Sequence, residues 1–443
     1  MTHVHFRIGN RMKVVHVLAG AGENYDCPNC RRDKALLKML PELGVETAPA
    51  CMYLPLFQDS QDCNLDFPLF FGAVNVYLQE KSYFFRNTPQ WVDRVLDSRG
   101  LLRWVGKRAQ STDPNGFEEM TLSMLSGDEG RQAKELDKFI RWLVDEARPD
   151  IVHLSNALLI GLAKRIRKDA GVSVVCTLQD EDDWVDAMNQ SYRKKVWQTM
   201  ADRAMDVDAF VAVSHYFADF MRRRMALSAD KLFTVLSGLD LRSYKQAELC
   251  FDPPVLGYFS SSNDLNGLKL LVDAFLQLKK ETLFERLRLR AAGFGVANNP
   301  SDINQLKTKI AVHGFPEDAE FISSLDRQEQ MDFFRSLTVF SNPTDTAEAF
   351  GQYIIEAMTC GVPVVQTRVG SYPELLKDGG GLLVEADNSE ELVRILRELM
   401  EQKEMAVSMG NQGRKIALSH FTSERMAKEM VSVYRRCIEN KLS

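Results

Sequence analysis

Two glutamates, Glu348 and Glu356, stand eight positions apart in the stretch "EAFGQYIIEAMTCGVPVVQT" (348–367). Between them Gly351 opens an apolar run with helical periodicity. At a helix N-terminus the first amides lack intrahelical partners and the helix dipole favours an anion. A glycine there lets a ligand approach the backbone closely. A carboxylate accepts paired hydrogen bonds, which suits vicinal hydroxyls on a sugar or a ribose. Glu348 falls in the loop before this turn and Glu356 one turn further into the helix. The pattern therefore suits a ligand that carries hydroxyls, then phosphate, then hydroxyls, which is the order of a nucleotide sugar. The plainer reading is a loop followed by an amphipathic helix with solvated acids.

The flanking residues say what must position this pair. "LTVFSNP" reads as a buried strand, "TDTAEAFG" as a loop, "QYIIEAMTCG" as a helix and "VPVVQT" as the next strand. The same alternation runs along most of the chain. "VVHVLAG", "DIVHLS", "VSVVCTLQ" and "DAFVAVS" are apolar strands in the first half, and "PVLGYFSSS", "LRLRAAGFG" and "AEFISSL" follow in the second. Strands alternating with helices predict βαβ units and doubly wound parallel sheets. With 443 residues the chain is too long for one core. The expected organisation is an extension (1–11) ahead of "MKVVHVLAG", a Rossmann-like domain (12–245), a second one (246–419) and a C-terminal helix (420–443). Met426, Met430, Val433 and Tyr434 form an apolar stripe on that helix. Residues from about 54 to 130 break the rhythm and read as an insertion, the kind of long segment that often carries function.

A formal net charge of −6 argues against a dedicated nucleic-acid binder. No apolar run is long enough to span a bilayer. Eight scattered cysteines suit a reducing cytoplasm rather than a disulfide scaffold. Cys27 and Cys30 form a CxxC at a strand-to-helix junction, for which structural, redox and metal roles are all open. "AGAG", with Gly20 and Gly22, reads as a turn that either lines a cleft or serves packing. The acids of "QDEDDW" (Asp180 to Asp183) read as the first turn of a helix, with a metal site as the rarer alternative. "YRKKVW" and "FMRRRM" offer basic, aromatic-edged faces suited to peripheral contact with anionic lipid, although a solvated face is the commoner outcome.

The segment from Glu348 to Val384, "EAFGQYIIEAMTCGVPVVQTRVGSYPELLKDGGGLLV", resembles the E-x7-E donor region of the family-4 retaining glycosyltransferases of GT-B fold. "GFPEDAEFISSLDRQEQMDFFRSLTVFSNPT" and "HFTSERMAKEM" fit the same layout, and "MKVVHVLAG", "RPDIVHLSN" and "FVAVSHYFADFM" fit it more loosely. The resemblance implies two Rossmann-like domains facing across a cleft, with the last helix crossing back to the first. It implies that Glu348 contacts the donor sugar and that Phe350, Gly351 and Gln352 form the sugar- and phosphate-binding turn. By the same resemblance Glu356 holds the ribose hydroxyls, Leu325 packs on the base, and His153 is a first-domain catalytic-side histidine. Ser260 and Asn266 stand where the family carries a phosphate-binding arginine and lysine, with Lys269 one turn away. This substitution leaves neutral donors facing a leaving diphosphate, where charge stabilisation matters most.

The expected function is glycosyl transfer from a nucleotide sugar to a glycan, lipid-linked or small-molecule acceptor, with retention and without a metal or other cofactor. The expected location is the cytoplasm or the inner face of a membrane. A GT-B protein that binds a nucleotide, a glycan or a partner protein without turnover is the first alternative, and a nucleotide-sugar epimerase the second. Dinucleotide-dependent dehydrogenation is disfavoured, because "GAG" lacks the spacing of the fingerprint.

Overall fold

The computed structural model describes residues 11–19, 28–53, 69–72, 116–260, 265–294, 300–386 and 388–442. Gly20, Gly22, Cys27, Ser261 and Ser262 lie outside the described residues, as does most of the span read as an insertion. The chain forms two compact units. The first takes Met1–Val213, Phe217–Leu236 and Ser423–Ser443; the second takes Ser214–Tyr216 and Ser237–Thr422.

The first unit runs β1 (Lys13–Ala19), α1 (Pro28–Met39), β2 (Glu46–Tyr53), β3 (Leu69–Gly72), α2 (Glu118–Leu125), α3 (Ala133–Trp142) and β4 (Ile151–Leu154). It continues through a helical stretch, α4 (157–170), then β5 (Ser173–Leu178), α5 (Glu181–Asp186), α6 (Gln190–Arg203), β6 (Ala209–Ala212), α7 (His215–Met225) and β7 (Leu232–Thr234). The seven strands are parallel in the order β3-β2-β1-β4-β5-β6-β7. Val14, Val15 and Val17 are all fully buried, so successive side chains on both faces of β1 are covered. That is why the strand reads as a continuous apolar run and not as an alternation.

The second unit runs β8 (Val255–Phe259), α8 (Asn266–Leu278), β9 (Arg288–Ala292), α9 (Pro300–Val312), β10 (Ala319–Ile322), α10 (Arg327–Arg335) and β11 (Val339–Ser341). It continues with α11 (Gln352–Thr359), β12 (Val364–Thr367), a single turn α12 (Tyr372–Leu375), β13 (Gly381–Val384), α13 (Ser389–Glu401) and α14 (Lys403–His420). Its six strands are parallel in the order β10-β9-β8-β11-β12-β13. The final helix, α15 (Ser423–Leu442), belongs to the first unit. It packs on α1 through the stripe expected from the sequence, with Met426, Met430, Val433 and Tyr434 buried.

Two boundaries differ from the sequence expectation. Residues 118–125 lie inside the span read as an insertion but form α2, with Thr121, Met124 and Leu125 buried. The strand β3 also lies within that span, pairing with β2 while Phe70 packs 5.1 Å from Phe139 of α3. The second compact unit takes in the chain from Ser237, a few residues ahead of the junction expected near 245. The reason is a set of long-range bonds on 239–247. Leu239 N donates to Phe421 O, Ala247 N to Cys360 O, and Arg414 to Tyr244 O. Among the described residues no helix is long and apolar enough to cross a membrane.

Candidate functional site

In a doubly wound sheet ligands gather at the carboxyl ends of the strands where the strand order reverses. In the second unit that point lies between β8 and β11, which are neighbours in space. Ser260 follows β8 there, and the loop from Asn342 to Gly351 follows β11. The loop is tied to the sheet by side chains. Gln366 donates Nε2 to Asn342 O (2.6 Å) and accepts from Asn342 N (3.2 Å). Asn342 Nδ2 donates to Phe259 O (3.4 Å) and Thr367 Oγ1 to Thr344 O (2.5 Å). Gly370, at φ +56°, closes the far side: a β-carbon there would come within 2.7 Å of Glu348 N. The residue is glycine both for its left-handed backbone and for this close approach.

Glu348, half-buried, sits at the end of this loop. Tyr353 Oη donates to its Oε1 (2.9 Å), and the Tyr353 and Tyr372 hydroxyls lie 2.7 Å apart. Both phenols are raised well above the usual tyrosine range, by burial first and by the Glu348 charge next. They are therefore neutral donors at any physiological pH, and Tyr372 and Tyr353 form a short relay that orients the carboxylate. Gly351 is the N-cap of α11, and a β-carbon on it would press to 3.0 Å from the Tyr372 ring and from Ile354. Its glycine thus answers to packing against Tyr372. Phe350 is half-buried with its ring edge-on to Phe421, and Gln352 is buried at the start of α11. Ser341 Oγ, Asn342 Oδ1 and Ser371 Oγ are buried at this edge without a hydrogen-bond partner among the described residues, a concentration that native interiors rarely hold.

Glu356 is held more tightly than its sequence position suggests. Its side chain is 0 % exposed. Oε1 accepts from Tyr244 Oη (2.6 Å) and from Arg327 Nη1 (2.6 Å), and Oε2 from Gln330 Nε2 (2.8 Å). Leu325, half-buried, lies in the loop just before α10, which begins at Arg327. Ser260 is buried, while Asn266 and Lys269 lie exposed on the first turns of α8. The second unit thus gathers Ser260, Glu348, Phe350, Gly351 and Gln352 around one sheet edge. Tyr244, Arg327, Gln330, Tyr353 and Tyr372 are the residues that sequence reasoning missed. The two last were readable in principle, because a buried tyrosine in an aliphatic run needs a partner for its hydroxyl.

His153 belongs to the first unit and lies in the middle of β4, fully buried. Its Nδ1 is 2.6 Å from Tyr434 Oη and its Nε2 is 2.7 Å from Thr177 Oγ1. It is the register partner of His16 on β1, the two ring centres lying 4.2 Å apart with their planes tilted by 34°. Burial first, then coupling to the neighbouring His16 ring and the Arg32 charge, lowers it well below the usual histidine range. This placement gives His153 a role inside the sheet, tying β4 and β5 to α15, and leaves no ring nitrogen exposed for a substrate.

The carboxyl edge of the first sheet carries the acids of "QDEDDW". Asp180 stands in the left-handed region (φ +57°) and accepts from Asn29 Nδ2 (3.0 Å). Glu181, buried, accepts from the amides of Ala157 and Gln179 (both 2.8 Å). Among the described residues no three His, Cys, Asp or Glu side chains converge as a metal set. Cys30 is buried on α1. On the basic faces Arg224 lies over both Trp197 and Phe220 (5.1 Å each) and pairs with Asp186 (2.8 Å), so those aromatics serve internal contacts.

Burial pushes Glu181 up to about 8 from its ordinary 4.5. The folded state therefore binds more protons than the unfolded state across that window, and stability falls as pH rises through it. His16, lowered to about 3 by burial, acts in the opposite sense below pH 6.5. The melting temperature should accordingly fall between pH 6.5 and 8, and Glu181→Gln should flatten that slope. An unchanged slope in the variant would show that Glu181 ionises freely in the folded chain.

Residues 244–416 match the family described as glycosyl transferases group 1, and residues 118–243 match glycosyltransferase family 4. The MMP α-(1→4)-mannosyltransferase of Mycolicibacterium hassiacum is 25% identical over 237 residues, covering 53% of this chain and 56% of that protein. A GDP-mannose-dependent monoacylated α-(1-6)-phosphatidylinositol monomannoside mannosyltransferase of Corynebacterium glutamicum is 23% identical over 310 residues, 66% of this chain and 77% of that one. The chain thus spans between about half and three quarters of the length of these two relatives. Among solved structures, sucrose-phosphate synthase from Thermosynechococcus elongatus superposes with a TM-score of 0.71 at 16% identity, over 97% of this chain and 100% of that one. Anabaena HepE in complex with UDP and glucose superposes with a TM-score of 0.66 at 15% identity, over 96% of this chain and 100% of that one. Contiguous family matches from 118 to 416, on two doubly wound units with these strand orders, make the chain a member of the group 1, family 4 glycosyltransferases, with the GT-B fold.

Proposed function

We propose that the chain transfers a sugar from a nucleotide-sugar donor to a hydroxyl-bearing acceptor, with retention of anomeric configuration and without a divalent ion. The observation that carries this reading is the Glu348 carboxylate, oriented by Tyr353 and Tyr372 beside the N-terminus of α11 at the switch point of the second sheet. In this reading Glu348 binds the sugar hydroxyls, the amides at Phe350 to Gln352 bind phosphate, and Glu356 lies on the ribose side. Ser260, Asn266 and Lys269 flank the phosphates, and Leu325 faces the base. The acceptor is a glycan, a lipid-linked saccharide or a small polyol bound by the first unit. The mannosyltransferase relatives and the UDP-bound structure support a nucleotide-sugar donor without choosing between GDP and UDP.

A thermal-shift panel of nucleotide sugars, read with and without EDTA, tests the proposal. A cognate donor at a hundred times its dissociation constant stabilises by about 2.7 kcal/mol, a shift of several degrees. Stabilisation that survives EDTA, together with slow donor hydrolysis, is the expected result. No shift from any nucleotide sugar at millimolar concentration would overturn the donor reading. A shift that disappears with EDTA and returns with manganese would overturn the metal-free part. Stabilisation without any hydrolysis or transfer would favour a binder that does not turn over, an alternative to which the neutral residues Ser260 and Asn266 lend weight.

A further inference from the structure

Glu356 is covered in this structure, and the cover is unequal. Of the donors Tyr244, Gln330 and Arg327, the first two are buried, whereas the Arg327 side chain is 35% exposed. Arg327 is also the first residue of α10, directly after Asp326. Asp326 and Glu329 form a reciprocal capping box that fixes the backbone there: Asp326 accepts from Glu329 N, and Glu329 accepts from Asp326 N (2.8 Å each). The guanidinium can therefore leave without unwinding the helix. Its flat face already rests 4.9 Å from the centre of the Tyr244 ring, a surface along which it can slide. Tyr244 and Gln330 have no such freedom, because both are packed inside the unit.

We infer that Arg327 occupies the ribose subsite in the unliganded chain and is exchanged for the ribose diol when a nucleotide binds. The inference rests on the donor reading above, in which Glu356 takes ribose hydroxyls. It follows from capacity and access. Oε1 already accepts two hydrogen bonds, which fills its lone pairs. With no exposed surface on the carboxylate, a ribose hydroxyl reaches it only where a donor withdraws. Tyr244 and Gln330 stay, holding the carboxylate in place and partly satisfied, and Arg327 gives way. Arg327, 35% exposed, regains solvent when it leaves, while Tyr244, Gln330 and the incoming diol keep the buried Glu356 carboxylate hydrogen-bonded, so the exchange does not leave that charge bare. Arg327 thus acts as an internal competitor of the 2′- and 3′-hydroxyls, and it lowers the affinity that the ribose diol adds to nucleotide binding.

The test is a binding cycle between Arg327 and the diol. UDP and GDP are titrated calorimetrically into the parent, Arg327→Met and Arg327→Lys, alongside the 2′,3′-dideoxy forms of both diphosphates. Exchange predicts that Arg327→Met tightens the ribonucleotide by about three- to fivefold. It also predicts that the dideoxy form is unaffected and that Arg327→Lys falls between. A merely structural role would move both forms equally. Weaker ribonucleotide binding in Arg327→Met would mean that Arg327 supports Glu356 and does not compete with ribose, and equal shifts in both forms would mean no coupling. Either result overturns the inference while leaving the donor reading intact. If the parent binds no nucleotide in either form, the donor reading itself fails, and this inference falls with it.

Discussion

Replacing Glu348 by glutamine should lower donor turnover by about a hundred- to a thousandfold, the usual cost of losing one electrostatic group at a reacting centre. Nucleoside-diphosphate affinity should stay within about twofold, because in the proposed reading this carboxylate binds the sugar and not the nucleotide. The substitution keeps the shape and one acceptor oxygen, so Tyr353 Oη retains a partner and the loop from Asn342 to Gly351 stays folded. What is removed is the negative charge that two neutral phenols hold in place. Tyr353→Phe should show the relay's share. It deletes the 2.9 Å bond to Glu348 and leaves Tyr372 without its 2.7 Å neighbour, so the expected loss is smaller than that of Glu348→Gln and lies in kcat rather than KM. The measurements are initial rates of donor hydrolysis or transfer and calorimetric titration of the diphosphate. A Glu348→Gln variant that turns over at the parental rate would remove Glu348 from the reacting centre. One that loses nucleotide affinity to the same degree as turnover would move it to the nucleotide side.

The order of strands and helices around Glu348 was open to reading because each element there announces itself locally. β11 and β12 are short apolar runs covered on both faces, α11 has helical spacing, and glycines mark the turns between them. The terminal helix was legible for the same reason, since Met426, Met430, Val433 and Tyr434 repeat at helical spacing. Three things were not legible, and all three depend on contacts distant in the chain. The first is the passage between units at Ser237, fixed by bonds from 239–247 to Cys360, Arg414 and Phe421. The second is the cover on Glu356, since Tyr244 and Glu356 lie 112 positions apart. Spacing placed the glutamate on the right helix turn, but it carried nothing about Arg327 or Gln330. The third is His153. "RPDIVHLSN" suggests a histidine near the end of a strand, yet the register with β1 and the return of α15 enclose it between Thr177 and Tyr434. A strand-borne histidine is exposed or buried according to what lies over the sheet, and here the cover arrives from the far end of the sequence.

The same cover creates the largest stability effect expected in the chain. Arg32 and Asp33, both on α1, are a buried ion pair: Arg32 is 1% exposed and Asp33 5%, with Nη1 to Oδ1 at 3.0 Å. Burial outweighs the attraction of the pair, for Asp33 is raised to about 6 although Arg32 stands beside it, and Arg32 is lowered from its ordinary value. The pair is also poorly finished. Arg32 Nε and Nη2, and both ring nitrogens of the buried His16, have no hydrogen-bond partner among the described residues. Removing one partner of such a pair leaves a buried charge uncompensated, at a cost of about 3–5 kcal/mol, whereas replacing both by apolar groups of similar volume is often neutral or stabilising. Asp33→Asn should therefore destabilise the first unit by about that amount, and the double variant Arg32→Met, Asp33→Leu should recover most or all of it. Urea unfolding of the full chain, followed by a probe in the first unit, gives both numbers. A double variant as unstable as Asp33→Asn alone would mean that the pair is worth its burial. Its charge would then be required for α1 to seat on β1 and α15, and the His16–His153–Tyr434 cluster would have to be read as part of one polar network rather than as neutral groups beside a strained pair.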